Sequence, residues 1–106
     1  MLFRSTEPVL SLDEAKAVVA TKTAPRVTEE SIKAKIASVQ YTVVASTGTF
    51  CVITMKNGWM STGFSAPADR RNFDPDVGQR YAYDNAFKPL WQLEGYLLRE
   101  RLSTQE

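Results

Sequence analysis

The chain contains no histidine. That removes the commonest general base, nucleophile activator and zinc ligand at once. It has one cysteine, Cys51, so neither an internal disulfide nor a cysteine metal cluster can form. Long apolar runs are missing too, and nothing approaches the roughly 18 to 20 residues needed to span a bilayer. Neither sign of charge is in excess: 13 Lys and Arg face 12 Asp and Glu, a formal net charge of +1. A nucleic-acid coat protein or an acidic DNA mimic works through a large one-sided field, so nucleic acid is not an expected partner. There are five Gly, five Pro and no repeat or low-complexity tract. What is there is 106 residues, 43% hydrophobic and 24% charged, the balance of one small globular domain. Met1 to Phe3 is too short for the apolar core of a signal peptide, and Glu7, Asp13 and Glu14 follow closely. A reducing interior such as cytosol is the expected compartment.

Residues 1 to 10 lack a period and read as an extended arm. Ser11-Leu12-Asp13-Glu14 has capping-box spacing, and Ala15 to Ala20 can complete a short helix. Thr21 to Arg26, with Pro25, reads as a linker. Residues 1–26 are therefore an arm with a short helix, and 27–106 a single α+β domain. A second helix start lies at Thr28, with Glu29 and Glu30 in its first turn. Ile32, Ile36 and Val39 recur at i, i+4 and i+7, which predicts a helix over 29–38.

The period then changes. Gln40 to Ser46, Thr49 to Met55 and Trp59 to Ser65 are rich in Val, Ile, Thr and aromatics, the residues that suit a pleated surface. Asn57-Gly58 is a strong hairpin signal, since a type I′ turn needs positive φ at both central residues. Such a turn sets Lys56 opposite Trp59, Met55 opposite Met60 and Ile53 opposite Thr62. A tight turn at Thr47-Gly48 would set Val44 opposite Cys51 and Val43 opposite Val52. A three-stranded antiparallel meander follows. Val44, Cys51, Ile53, Met55, Met60 and Phe64 would share the core face. Tyr41, Val43, Phe50, Val52, Thr54, Trp59 and Ser61 would share the other, which is too apolar to be left in water.

Residues 66 to 72 are polar and irregular. Asp74, Pro75 and Asp76 then supply an N-cap, a first-turn proline and a favourable first-turn charge. Apolar residues recur at helical period from Ala82 to Leu102. Pro89 inside that run removes a bond to the Asn85 carbonyl and is expected to kink or split the helix. Gly95 weakens its second half by roughly 1 kcal/mol relative to Ala. The expected fold is α+β: the meander, an N-terminal helix and a long, Pro-kinked C-terminal helix.

From Val27 to Leu98 the sequence resembles a family of small tailed-bacteriophage proteins named after phage gene products forty-nine and sixty-six. The likeness is carried by Thr28-Glu29-Glu30, Ser38-Val39-Gln40-Tyr41 and Cys51-Val52-Ile53-Thr54-Met55-Lys56-Asn57-Gly58. Gly63-Phe64-Ser65-Ala66, Asn72-Phe73-Asp74 and the segment Leu90 to Leu98 complete it. Pro89 departs from the uninterrupted helix expected of that family. The resemblance implies a viral accessory protein and carries over no catalytic or binding residue.

Candidate sites are few. Cys51, the one possible nucleophile, lacks a histidine base and on the core face reads as a small buried hydrophobe. Asp84 and Glu94, ten residues apart on one helix, stand about 15 Å apart, too far for a glycosidase pair unless a kink at Pro89 folds them together. Glu94 lies beside the apolar stripe and needs a donor, for which Arg80, Arg99 or a backbone N–H is available. Gly48, Gly58 and Gly63 form no phosphate loop, so no cofactor is expected. Arg70, Arg71 and Asn72 precede a helix start, and Lys56 and Trp59 occupy a hairpin tip. The functional surface is expected at the junction of this hairpin tip, the 66–73 loop and the start of the final helix, where these five residues would hold a phosphate and stack a base. The bland alternative is a solvated loop and an aromatic packed on its own sheet.

The functional expectation is a non-enzymatic accessory protein of the host cytoplasm, sequestering a small nucleotide-type signal of host defence. The alternative is a protein-binding inhibitor of a host enzyme acting through an exposed aromatic sheet face. An enzyme is the least favoured class. Homo-oligomerisation, a dimer by default, would cover the second apolar surface.

Overall fold

The structure is a computed structural model that describes residues 7–105. Residues 1–6, which include the Met1 to Phe3 start and most of the expected arm, lie outside the described residues. The elements in chain order are α1 (Leu12–Ala20), α2 (Glu29–Lys33), β1 (Ile36–Val44), β2 (Gly48–Met55), β3 (Met60–Ser65), a 3-10 turn (Arg70–Asn72) and α3 (Pro75–Ser103). The strands form one antiparallel sheet in the order β1-β2-β3.

Capping explains the helix starts. Around α1, Glu14 N–H donates to Ser11 Oγ at 3.1 Å and Ser11 N–H returns a bond to Glu14 Oε1 at 2.8 Å. Thr28 and Ser31 make the same reciprocal pair before α2. No residue of α1 is buried. The helix expected over 29–38 is shorter, because α2 ends at Lys33 and β1 begins at Ile36. Ile36 and Val39 do pack against the core, but from a strand. The β-branched and aromatic density of residues 36–44 outweighs a three-point helical period.

Both hairpins differ in register from the sequence expectation. In the first, Val44 pairs with Gly48, Val43 with Thr49 and Tyr41 with Cys51. The turn is made by residues 45–47, with Ala45 at φ 51° and Ser46 at φ 69°. Left-handed turns favour glycine, but here Gly48 starts the strand instead. A side chain at Gly48 would meet the Phe64 ring at 2.7 Å, so the close approach of that ring accounts for it. In the second hairpin, Thr54 pairs with Met60 and Ile53 with Ser61, one residue off. Only Gly58 there has positive φ, at 93°. Met55 N–H donates to Trp59 O at 2.7 Å and Gly58 N–H to Met55 O at 2.9 Å. This is a three-residue loop with a glycine bulge, not a two-residue type I′ turn.

A one-residue slip reverses a strand's faces. Cys51, Ile53 and Met55 face the helices as expected, but Ser61 and Gly63 join them, while Met60 (62% exposed) and Phe64 (47%) face away. Tyr41 and Val43 share the helix side through their pairing with Cys51 and Thr49, as does Trp59 opposite Met55. Val44, with Gly48, turns to the outer face. The core consists of Ile32, Cys51, Ile53, Met55, Ala82, Ala86, Phe87 and Leu90.

α3 crosses the sheet unusually close. A Cβ on Gly63 would fall within 3.0 Å of three backbone atoms of α3: Ala82 O, Ala86 N and Asn85 C. Gly63, Ala82 and Ala86 are therefore the small-residue seam that lets helix and strand touch. Pro89 lies within α3 without dividing it. Ser61 Oγ donates to Ala86 O at 2.6 Å, adding a donor on the turn where the proline removes one. The radius of gyration is 18.0 Å, against about 13 Å for a compact chain of this size. An undocked α1 and a 29-residue α3, about 43 Å long, account for the difference.

Candidate functional site

The helix side of the sheet narrows at the Gly63 seam and opens toward the β2–β3 hairpin tip. There a cleft of about 420 Å³ lies between the tip and the second half of α3, within the range of small-ligand sites. Met55, Leu90, Leu93 and Leu97 supply its apolar lining, and Trp59 and Tyr96 its aromatic rings. Lys56, Asn57, Lys35 and Glu94 supply the polar groups.

These groups are positioned by specific bonds. Lys56 N–H donates to Lys35 O at 2.8 Å, tying the hairpin tip to the start of β1. Trp59 N–H donates to Asn57 Oδ1 at 2.9 Å, fixing the loop that carries the indole. Glu94, with a side chain 13% exposed, is paired with Lys35 Nζ at 2.5 Å. Its donor is thus neither arginine expected but a lysine 59 residues earlier, which bridges one wall of the cleft to the other. Lys56 is exposed and makes no ion pair among the described residues.

The five residues expected to converge are divided. Lys56 and Trp59 line the cleft. Arg70, Arg71 and Asn72 follow the opposite end of β3, a six-residue strand of about 20 Å. Arg71 is further committed to its neighbour: its Nη2 lies 2.7 Å from Asp69 Oδ2, and its backbone N–H also donates to that carboxylate at 2.9 Å. This pairing holds the Asp69 carboxyl below its ordinary range. The α3 N-terminus is occupied too, since Asp74 accepts from Asp76 N–H and Val77 N–H at 2.9 and 3.2 Å.

The remaining candidates fall to structural roles. Cys51 is fully buried, and burial raises its thiol pKa. Asp84 pairs with Arg80 one turn away, and Arg80 lies 5.2 Å over the Tyr83 ring. The continuous α3 keeps Asp84 and Glu94 apart. Among the described residues, no group of three or more His, Cys, Asp or Glu could hold a metal ion, and no helix is long and apolar enough to cross a membrane.

The residues missed from the sequence are Tyr96, Leu93, Leu97 and Lys35. The helical stripe was visible, but the cleft depends on which turn of the helix meets the hairpin tip. No local signal carries that.

One comparison bears on identity. Residues 27–102, well over half of the chain, match the Phage protein (N4 Gp49/phage Sf6 gene 66) family. The chain belongs to that family. The matched region starts at Val27, just after the expected linker, and includes every strand, nearly all of α3 and the whole cleft, while α1 lies outside it. No curated protein and no solved structure matches the chain.

Proposed function

We propose that this phage protein acts by binding rather than by catalysis, sequestering a small nucleotide-type ligand of the host cytoplasm in the cleft beside Trp59. The observation that supports the reading is a concavity of about 420 Å³ whose lining combines two aromatic rings, a leucine wall and an exposed lysine with no ion-pair partner among the described residues. A base stacked on Trp59 would contribute about 1–3 kcal/mol. Lys56 would meet the anionic end as a point charge. Arg70, Arg71 and Asn72 stand too far away to touch the same ligand. Binding is favoured over chemistry because Cys51 is sealed in the core and Glu94 is held by Lys35.

Calorimetric titration with mono-, di- and cyclic nucleotides tests this. Binding that weakens roughly 5- to 150-fold in Trp59→Ala, the equivalent of that stacking energy, supports it. Undiminished binding by Trp59→Ala, or no binding by any of the panel, refutes it. Turnover of a nucleotide would make the protein an enzyme.

A second reading, inhibition of a host enzyme, draws on the outer sheet face. There Phe50 and Phe64 pair across strands with ring centroids 4.9 Å apart, both exposed, and Met60 is exposed farther along the same face. Capture of one host enzyme by the wild type, lost in Phe50→Lys, would favour it.

A further inference from the structure

The two edges of the sheet are treated differently. β3 lies under α3: the Gly63 backbone touches the helix, and Asn85 Nδ2 donates to Phe64 O at 2.9 Å. β1, the other edge, pairs only with β2, and among the described residues no further backbone hydrogen bond reaches residues 36–44. Its nine residues, Ile36–Val44, contain no charge and no proline, although charged residues make up 24% of the chain. Charges, prolines and short length are what normally keep an exposed edge from pairing with another chain. None of the three is present, and the one irregularity, a register shift between Ile36 and Ser38, lies at the start of the strand rather than at its centre.

We propose that β1 is a self-association edge, at which two copies of this chain pair antiparallel about a twofold axis and join their sheets into one of six strands. The occupant is a second copy because of what the twofold requires. Antiparallel pairing of a strand with itself is isologous, so the residue on the axis meets its own counterpart and its neighbours come close to theirs across the diagonal. A charge there would face an equal charge, and β1 carries none. An unrelated partner would impose no such neutrality on this strand. On the helix side of β1, Ile36 and Val39 pack against the core, but the second half is covered only in part, leaving Tyr41 38% and Val43 53% exposed. Pairing centred on Gln40 sets Val39 of each copy across from Tyr41 of the other, an aromatic–β-branched contact of the kind that stabilises sheets. The cleft and the outer face both stay open in this assembly, so the proposal stands apart from the ligand reading.

Light scattering at high-micromolar concentration tests it, with a lysine pair, Gln40→Lys with Thr42→Lys, and a glutamate pair, Gln40→Glu with Thr42→Glu. Both positions are exposed on the outer face. The wild type is expected at twice 11.9 kDa, each variant alone at the single mass, and an equal mixture of the two back at the doubled mass. A wild type at single mass overturns the proposal, as does a doubled mass that persists in the lysine pair. Should either variant not fold, amide exchange of the wild type decides. Protection within 36–44 that falls on dilution supports the edge pairing, and concentration-independent exchange there overturns it.

Discussion

Gly63→Ala adds one methyl group at the tightest point of the structure. Its Cβ would sit inside 3.0 Å of Ala82 O, Ala86 N and Asn85 C, all helix backbone, where ordinary contact is 3.4–4 Å. No side-chain rotation relieves this, so α3 must retreat by up to about 1 Å. That retreat loosens Ala82 and Ala86 against the sheet and stretches the 2.6 Å bond from Ser61 Oγ to Ala86 O. Overpacking costs about 1–3 kcal/mol, and a weakened buried hydrogen bond adds about 1. Together they give about 2–4 kcal/mol, a large part of the roughly 5–15 that holds a small domain folded. Urea unfolding followed by tryptophan fluorescence should show a midpoint shift of that size with an unchanged slope. A loss below about 0.5 kcal/mol, the level of an ordinary surface change, would refute the seam as the contact that sets the helix–sheet distance.

Other outcomes follow from single residues. Thr49 is buried and, among the described residues, its Oγ1 has no hydrogen-bond partner, so Thr49→Val should raise stability by about 1 kcal/mol in the same assay. Cys51 should resist thiol reagents in the folded protein and react in urea. Because burial raises its pKa, the folded state keeps a proton that the unfolded state loses. Its contribution to stability is therefore full below the unfolded thiol pKa of about 8.5 and declines as pH rises beyond it; a Cys51→Ala chain should show less of that alkaline decline. Since no residue of α1 is buried, a chain beginning at Val27 should melt within a few degrees of the full one by circular dichroism.

Much of the fold was legible from local chemistry. Ser11 with Glu14, Thr28 with its acidic turn, and Asp74-Pro75 all marked helix starts correctly, because a cap is decided by residues three positions apart. The meander was legible from its β-branched runs. The registers were not. Asn57-Gly58 admits either a two-residue or a three-residue loop, and the choice falls to whether Gly63 or Phe64 faces α3. Only a backbone without a side chain fits that approach, so the helix, remote in sequence, determines the turn. The candidate site divided for the same reason. Lys56 and Trp59 are close to Arg70 in number, but an extended strand carries the chain straight away from the tip. Glu94 was recognised as needing a donor, yet Lys35 could be found only once β1 and α3 were set side by side.

The last buried residue of α3 is Leu90, although the helix runs on to Ser103. Of the thirteen residues beyond it, Leu93, Glu94, Tyr96 and Leu97 wall the cleft, none is fully buried, and Gly95 among them adds backbone freedom. NMR order parameters should therefore decline along a single helix, from near 0.85 at Ala82 to lower values past Trp91. A pocket with one stiff wall and one yielding wall is adaptable. A ligand of the kind proposed above would give up part of its binding energy to still the helix.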